Sequence, residues 1–230
     1  MKARTNNQGF TLIELMVVIT IIAILASITV PVVTKVKAKA DLTRDSSNAR
    51  QIVLACKSFA SDWDGVYPAW DPSAESDGGG GGSEEGELST STDAFNVLIK
   101  EGYIDTESIF WMQTKNPEKL RPPKEDGELE SRENCYTYVM GLTDTSFSRS
   151  PLVADEQEGP GTYGEYHPWL EMRKAIIGYS GGHVVAERLE SDEPGAMVKT
   201  KDGVEIFAEK TGEDSEGGLL ATKQDNVLNP

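Results

Sequence analysis

The most pointed chemistry in this chain belongs to Glu14. It is the only charge in the run Phe10 to Val33, FTLIELMVVITIIAILASITVPVV, and stands four residues past Phe10. A carboxylate within an apolar membrane segment costs about 3 kcal/mol on insertion scales unless it reaches water or meets a cation. Two readings follow: the side chain snorkels toward the headgroups, or it is kept for a cationic partner. Directly upstream lies a polar leader, MKARTNNQG, which carries Lys2 and Arg4, no acid, and ends in Gly9.

Other candidate chemistry dissolves on inspection of its surroundings. Gly178-Tyr-Ser-Gly-Gly182 satisfies G-x-S-x-G, but a nucleophile elbow needs a helix after the serine and a histidine late in the chain. Here His183 to Leu189 reads as a strand, His183 follows Ser180 by three residues and His167 lies upstream, so the segment reads as a tight turn. Asp62-Trp-Asp-Gly65 opens like a calcium loop, yet Tyr67 stands where the turn glycine belongs and Ser73 where the bidentate glutamate belongs. An EF-hand is thereby excluded. The tract Gly78 to Gly82 fits a phosphate-binding glycine pattern only trivially, with no Lys-Ser/Thr after it. His167 and His183 lack zinc spacing with the two cysteines, Cys56 and Cys135. Those cysteines form either a bridge or a pair of buried thiols, and spacing does not decide between them. Trp63, Trp70, Trp111 and Trp169 read as core or loop anchors.

Glu14 must be positioned by a helix. The 24 residues from Phe10 to Val33 would reach about 36 Å at about 1.5 Å per residue, enough to cross a hydrocarbon core. Ile24-Leu25-Ala26-Ser27 offers no small-x-small cleavage pattern, so removal of the whole segment is not expected. Pro31 removes a backbone donor and bends or locally opens the helix, or is simply tolerated there. The rest of the chain behaves differently. Of 230 residues, 22 are Lys or Arg and 38 are Asp or Glu, for a net charge of −16, but residues 34–58 carry +4 and residues 59–230 carry −21. Such acidity repels phosphate backbones and argues against a nucleic-acid partner.

Past the apolar run, Leu42, Ala49, Ile52, Val53, Cys56 and Phe59 recur at spacings of 3, 4 and 7, which predicts that the helix continues to about Asp62. Strand character is predicted at 135–140, 151–154, 174–179, 183–189 and 203–208. A short capped helix is predicted over 93–102, with an acidic N-cap and a glycine stop. The expected fold class is α+β: a long N-terminal helix, its first half transmembrane, packed on a small antiparallel β-sheet. The expected organisation is a leader 1–9, a membrane helix 10–33, its continuation 34–62, a head 63–208 with an acidic Gly-rich loop 73–91, and a flexible tail 209–230.

The junction Gly9-Phe10-Thr11-Leu12-Ile13-Glu14, preceded by a short basic leader and followed by about twenty apolar residues, resembles the processing site of type IV prepilins and type II secretion pseudopilins. The resemblance implies that a prepilin peptidase cuts between Gly9 and Phe10, that the new amine of Phe10 is N-methylated, and that Glu14 pairs with the N-terminal amine of a neighbouring subunit during assembly. The chemistry is coherent in itself, because cleavage creates an ammonium a few residues from a carboxylate that needs one. Family members commonly carry a proline near the position of Pro31, where helix loosening is associated with filament packing. Phe59 to Pro68 is similar to the end of the long helix in major-pseudopilin-like proteins, where a D-x-G-x-Y-P turn follows. Ser150 to Asp155 and Gly181-Gly-His-Val184 resemble strand regions of such families, which have Asp-Gly-His-Val at the latter.

What the resemblance implies is a pilin-like structural subunit, with no enzymatic activity, of a pseudopilus or type IV pilus-like filament. Its partners would be itself and other pilins, the prepilin peptidase, an inner-membrane assembly platform and membrane lipid. It would sit in the inner membrane by a single pass, N-terminus cytoplasmic and head extracytoplasmic. The flanking charges, Lys2 and Arg4 against Lys35, Lys37 and Lys39, do not favour that orientation; the leader's need to meet its peptidase does. No cofactor is expected beyond calcium, which major pseudopilins bind through a distal loop; Asp155, Glu156 and Glu158 are the candidate oxygens here, against the plainer reading of a solvated acidic loop. The alternative from another class is a membrane-anchored binding or hydrolytic domain that merely borrows the helix.

Overall fold

A computed structural model describes residues 10–69, 88–112, 120–200, 202–209, 219–221 and 223–230. The leader 1–9 and most of the Gly-rich loop 73–91 lie outside the described residues. Helix α1, Leu12–Asp62, runs 51 residues and continues through Pro31. The chain divides into two units at Thr43. In the first, every side chain from Phe10 to Lys37 is exposed. A helix that shows apolar side chains on all sides is matched to apolar surroundings.

In the second unit α1 becomes one-sided. Ala49, Ile52, Val53, Ala55, Cys56, Phe59 and Ala60 are buried, while Arg50, Gln51 and Leu54 face outward and Leu42, read as part of the stripe, is only half-buried. The covering surface is an antiparallel sheet of β1 Tyr136–Val139, β2 Pro151–Asp155, β3 Thr162–Tyr163, β4 Lys174–Tyr179, β5 Val184–Leu189, β6 Ala196–Lys199 and β7 Val227–Leu228. The spatial order is β3-β6-β5-β4-β2-β1-β7. Helix and sheet come close together at Gly178, where an added Cβ would lie 2.5 Å from Val53 Cγ2; only glycine admits the helix there. The contact is fixed by polar ties, since Lys57 Nζ and the Tyr67 hydroxyl both donate to the Ser180 carbonyl, at 3.1 and 3.0 Å. The Tyr136 hydroxyl donates to the Asp45 carbonyl at 3.1 Å.

The helix stops in a left-handed turn, Asp64 at φ 48° and Gly65 at φ 79°, with the Gly65 amide donating to the Ala60 carbonyl at 2.7 Å. Helix α2, Ser91–Lys100, packs on β1 through Ser91 Oγ, which donates to the Tyr136 carbonyl at 2.7 Å. Its N-cap is Thr90 and not the expected Asp93, which is the N3 partner of a capping box.

Two expectations are corrected. Residues 203–208 form no strand; Gly203 turns the chain at φ 82°, and the segment pairs with the sheet only through the isolated antiparallel bridge between Lys199 and Glu205. The C-terminal segment is not a flexible tail in its described part. Leu219 and Leu220 are buried, and β7 closes the sheet edge beside β1, held by Met140 N to Asn226 O at 2.9 Å and Ser91 N to Asn229 O at 3.0 Å.

Candidate functional site

The start of α1 is a closed hydrogen-bonded ring. Thr11 occupies the N-cap, and its amide and hydroxyl both donate to Glu14 Oε2, at 2.8 and 2.7 Å. In return the Glu14 amide donates to Thr11 Oγ1 at 3.3 Å. This T-x-x-E arrangement is a capping box, which satisfies helix-terminal donors and places an anion where the helix dipole favours one. Both side-chain bonds fall on Oε2, and among the described residues no donor meets Oε1. Phe10, Ile13, Val17 and Val18 line a shallow apolar groove with Glu14, and Phe10 is itself 77% exposed. The arrangement therefore presents one carboxylate oxygen, already oriented, on an apolar surface. Sequence reasoning quoted Thr11 but gave it no role, although the T-x-x-E spacing was there to be read.

Along the span the polar side chains are internally satisfied. Thr20 donates to Met16 O at 2.7 Å, Ser27 to Ile24 O at 2.7 Å, Thr29 to Leu25 O at 2.7 Å and Thr34 to Pro31 O at 3.1 Å. A hydroxyl in lipid must find such a partner, because no water is there to supply one. Length, composition and complete exposure make this helix long and apolar enough to cross a membrane.

The other candidate residues are used structurally. Ser180 lies in the β4–β5 turn, buried, its Oγ donating to the Phe147 carbonyl at 2.7 Å, while His183 stacks on Tyr179 with ring centroids 4.6 Å apart. Asp155, Glu156 and Glu158 do not form an oxygen cluster. Asp155 ends β2 fully buried, its Oδ2 accepting from the Ile176 amide at 2.8 Å, with His167 Nε2 at 3.7 Å and the Tyr163 hydroxyl facing it. Burial pushes its carboxyl well above the ordinary range. Glu158 instead lies against the backbone of Gly164. Among the described residues no three His, Cys, Asp or Glu side chains converge as metal ligands.

His167 Nε2 donates to the Lys174 carbonyl at 2.8 Å, which sets its tautomer. Cys56 and Cys135 are buried and unlinked, so of the two readings the structure takes the free thiols. Burial raises both, Cys135 to about 12, which removes thiolate reactivity near neutral pH. Trp63 stacks on Phe59 and Trp169 is buried; Trp70 lies outside the described residues.

Comparison with known proteins bears on part of the chain. Residues 4–30 match the family described as Prokaryotic N-terminal methylation motif. A 59-residue stretch is 45% identical to the Type IV major pilin protein PilA of Myxococcus xanthus (strain DK1622), covering 26% of this chain and 27% of that protein. The match thus spans about a quarter of either protein. No solved structure matches the chain.

Proposed function

We propose that this chain, whose N-terminal segment carries the methylation motif of the type IV pilin and pseudopilin family, is a structural filament subunit made as a membrane-anchored precursor. The prepilin peptidase cuts after Gly9, the amine of Phe10 is methylated, and the subunit polymerises through α1 into a type II pseudopilus or type IV pilus-like filament. The observation that carries the reading is the geometry at Glu14. Its Oε2 is closed into the capping box and its Oε1 is left to an incoming cation, and the ammonium of a neighbouring Phe10 is the cation that processing would supply. A charge-assisted bond of that kind, in surroundings of low dielectric, is strong and directional.

The partners follow from this reading: further pilin copies, the peptidase, an inner-membrane assembly platform and lipid, with the head extracytoplasmic. The role is mechanical and not catalytic, with assembly energy coming from a separate ATPase. Mass spectrometry of the mature protein tests processing directly: a chain starting at N-methylated Phe10 is expected, and an intact Met1 or a cut beyond the apolar run overturns the proposal. Glu14→Ala should abolish filaments while leaving the head folded. Filaments of normal length from that variant would overturn the role given to Glu14, whereas a wild-type protein that forms no filaments would favour a domain that borrows the helix only as an anchor.

A further inference from the structure

The exposed apolar surface of α1 in the first unit ends at Val32, Val33 and Val36. Lys35, Lys37 and Lys39 overlap that end and lie within about 6 Å of one another along the axis. All three side chains are exposed, the next acid is Asp41, and no hydrogen bond or ion pair engages any of the three ammonium groups among the described residues. At about 100° per residue, Lys35 and Lys39 stand about 40° apart while Lys37 points about 160° from either. The positive charge therefore surrounds the helix.

We propose that Lys35, Lys37 and Lys39 form a collar that binds the headgroups of anionic phospholipids where α1 leaves the bilayer. The inference rests on the membrane-spanning reading of α1 but not on filament assembly. Each lysine can lay its aliphatic stem along the last valines and carry its ammonium to the phosphate plane. A lipid annulus meets a helix from every direction, whereas a protein partner arrives from one side and would leave at least one of these lysines unengaged. The acidic head of a second copy, whose residues 59–230 carry a net charge of −21, is for that reason the poorer occupant. Zwitterionic lipids offer phosphate without net charge, so the collar discriminates by headgroup charge, and the discrimination is screened by salt.

The test uses the full chain reconstituted in phosphatidylcholine vesicles containing a minority of phosphatidylglycerol, with spin-labelled forms of each lipid. Alkaline carbonate extraction of the same vesicles comes first; release of the protein would overturn the membrane reading itself. With the protein retained, the spectrum of motionally restricted lipid should show phosphatidylglycerol preferred over phosphatidylcholine at low salt, by up to about fivefold per lysine. The preference should fall with added salt and vanish in the K35Q/K37Q/K39Q variant, whose substitutions keep helix propensity. Glu14→Ala should keep the lipid preference, which separates this inference from assembly. An equal preference in the triple variant, or none in the wild type, overturns the proposal. So does loss of self-association by the triple variant in pure phosphatidylcholine with no lipid preference in the wild type, the result expected if a second copy occupies the collar.

Discussion

Glu14 and Asp155 are both carboxylates that accept hydrogen bonds, and their neighbours treat them differently. Glu14 receives two donors from Thr11 at a helix N-terminus, on one oxygen. Asp155 receives one amide, from Ile176 on β4; the Tyr163 hydroxyl on β3 and His167 face it, and Asp45 on α1 adds a like charge to the effect of burial. Folding therefore raises its pKa, and the folded protein holds that proton more tightly than the unfolded chain. The stabilising contribution is complete below the ordinary carboxylate value of about 4 and is lost as pH rises through the folded value. Thermal unfolding of the detergent-solubilised protein should show wild-type stability declining from acid toward neutral pH more steeply than in Asp155→Asn. Parallel curves would mean that Asp155 stays ionised, with His167 as its cation.

Helix α2 shows how a short element depends on its ends. Burial works against the Asp93 charge, but the hydrogen bonds from Thr90 and Ser89 outweigh it and hold the carboxyl below its ordinary range. Thr90→Ala should cost about 1 kcal/mol in urea unfolding at neutral pH. Because the folded pKa of Asp93 is lowered, the box contributes above the ordinary carboxylate pKa and fades as pH falls through the folded value, so the cost of Thr90→Ala should shrink there. Elements of this chain with a periodic pattern were legible in the sequence: the two characters of α1, and β1, β2, β4 and β5 within a residue or two. The two-residue strands β3 and β7 and the short β6 were not, because pairs such as Val227–Leu228 carry no alternation and are strands only through their neighbours' amides. The junction from Gly9 to Glu14 was legible because its chemistry lies within six consecutive residues. The Asp155–His167 contact was not, because it is made by the packing of a loop against the sheet and no local spacing reports it.

At the scale of the molecule, the second unit is a core shared between helix and sheet, with Cys56 on α1 and Cys135 just before β1. Both thiols lie inside that core, so neither should react with an aromatic disulfide reagent in the native protein. Both should become reactive at one urea midpoint, coincident with the change in tryptophan fluorescence. One thiol reacting well before the other would show that α1 can lift from the sheet ahead of global unfolding. The first unit is governed by different physics. Because Thr20, Ser27, Thr29 and Thr34 spend their hydroxyls on their own helix, the middle of the span has no polar grip on anything outside it. It can rotate about its axis, or exchange lipid for the flank of another helix, without breaking a hydrogen bond, so that only dispersion and shape distinguish the two environments. On the proposed assembly reading, rotation within any bundle built from this helix is set at its start by one carboxylate oxygen, while a lysine collar that meets lipid from every side fixes only its depth in the bilayer.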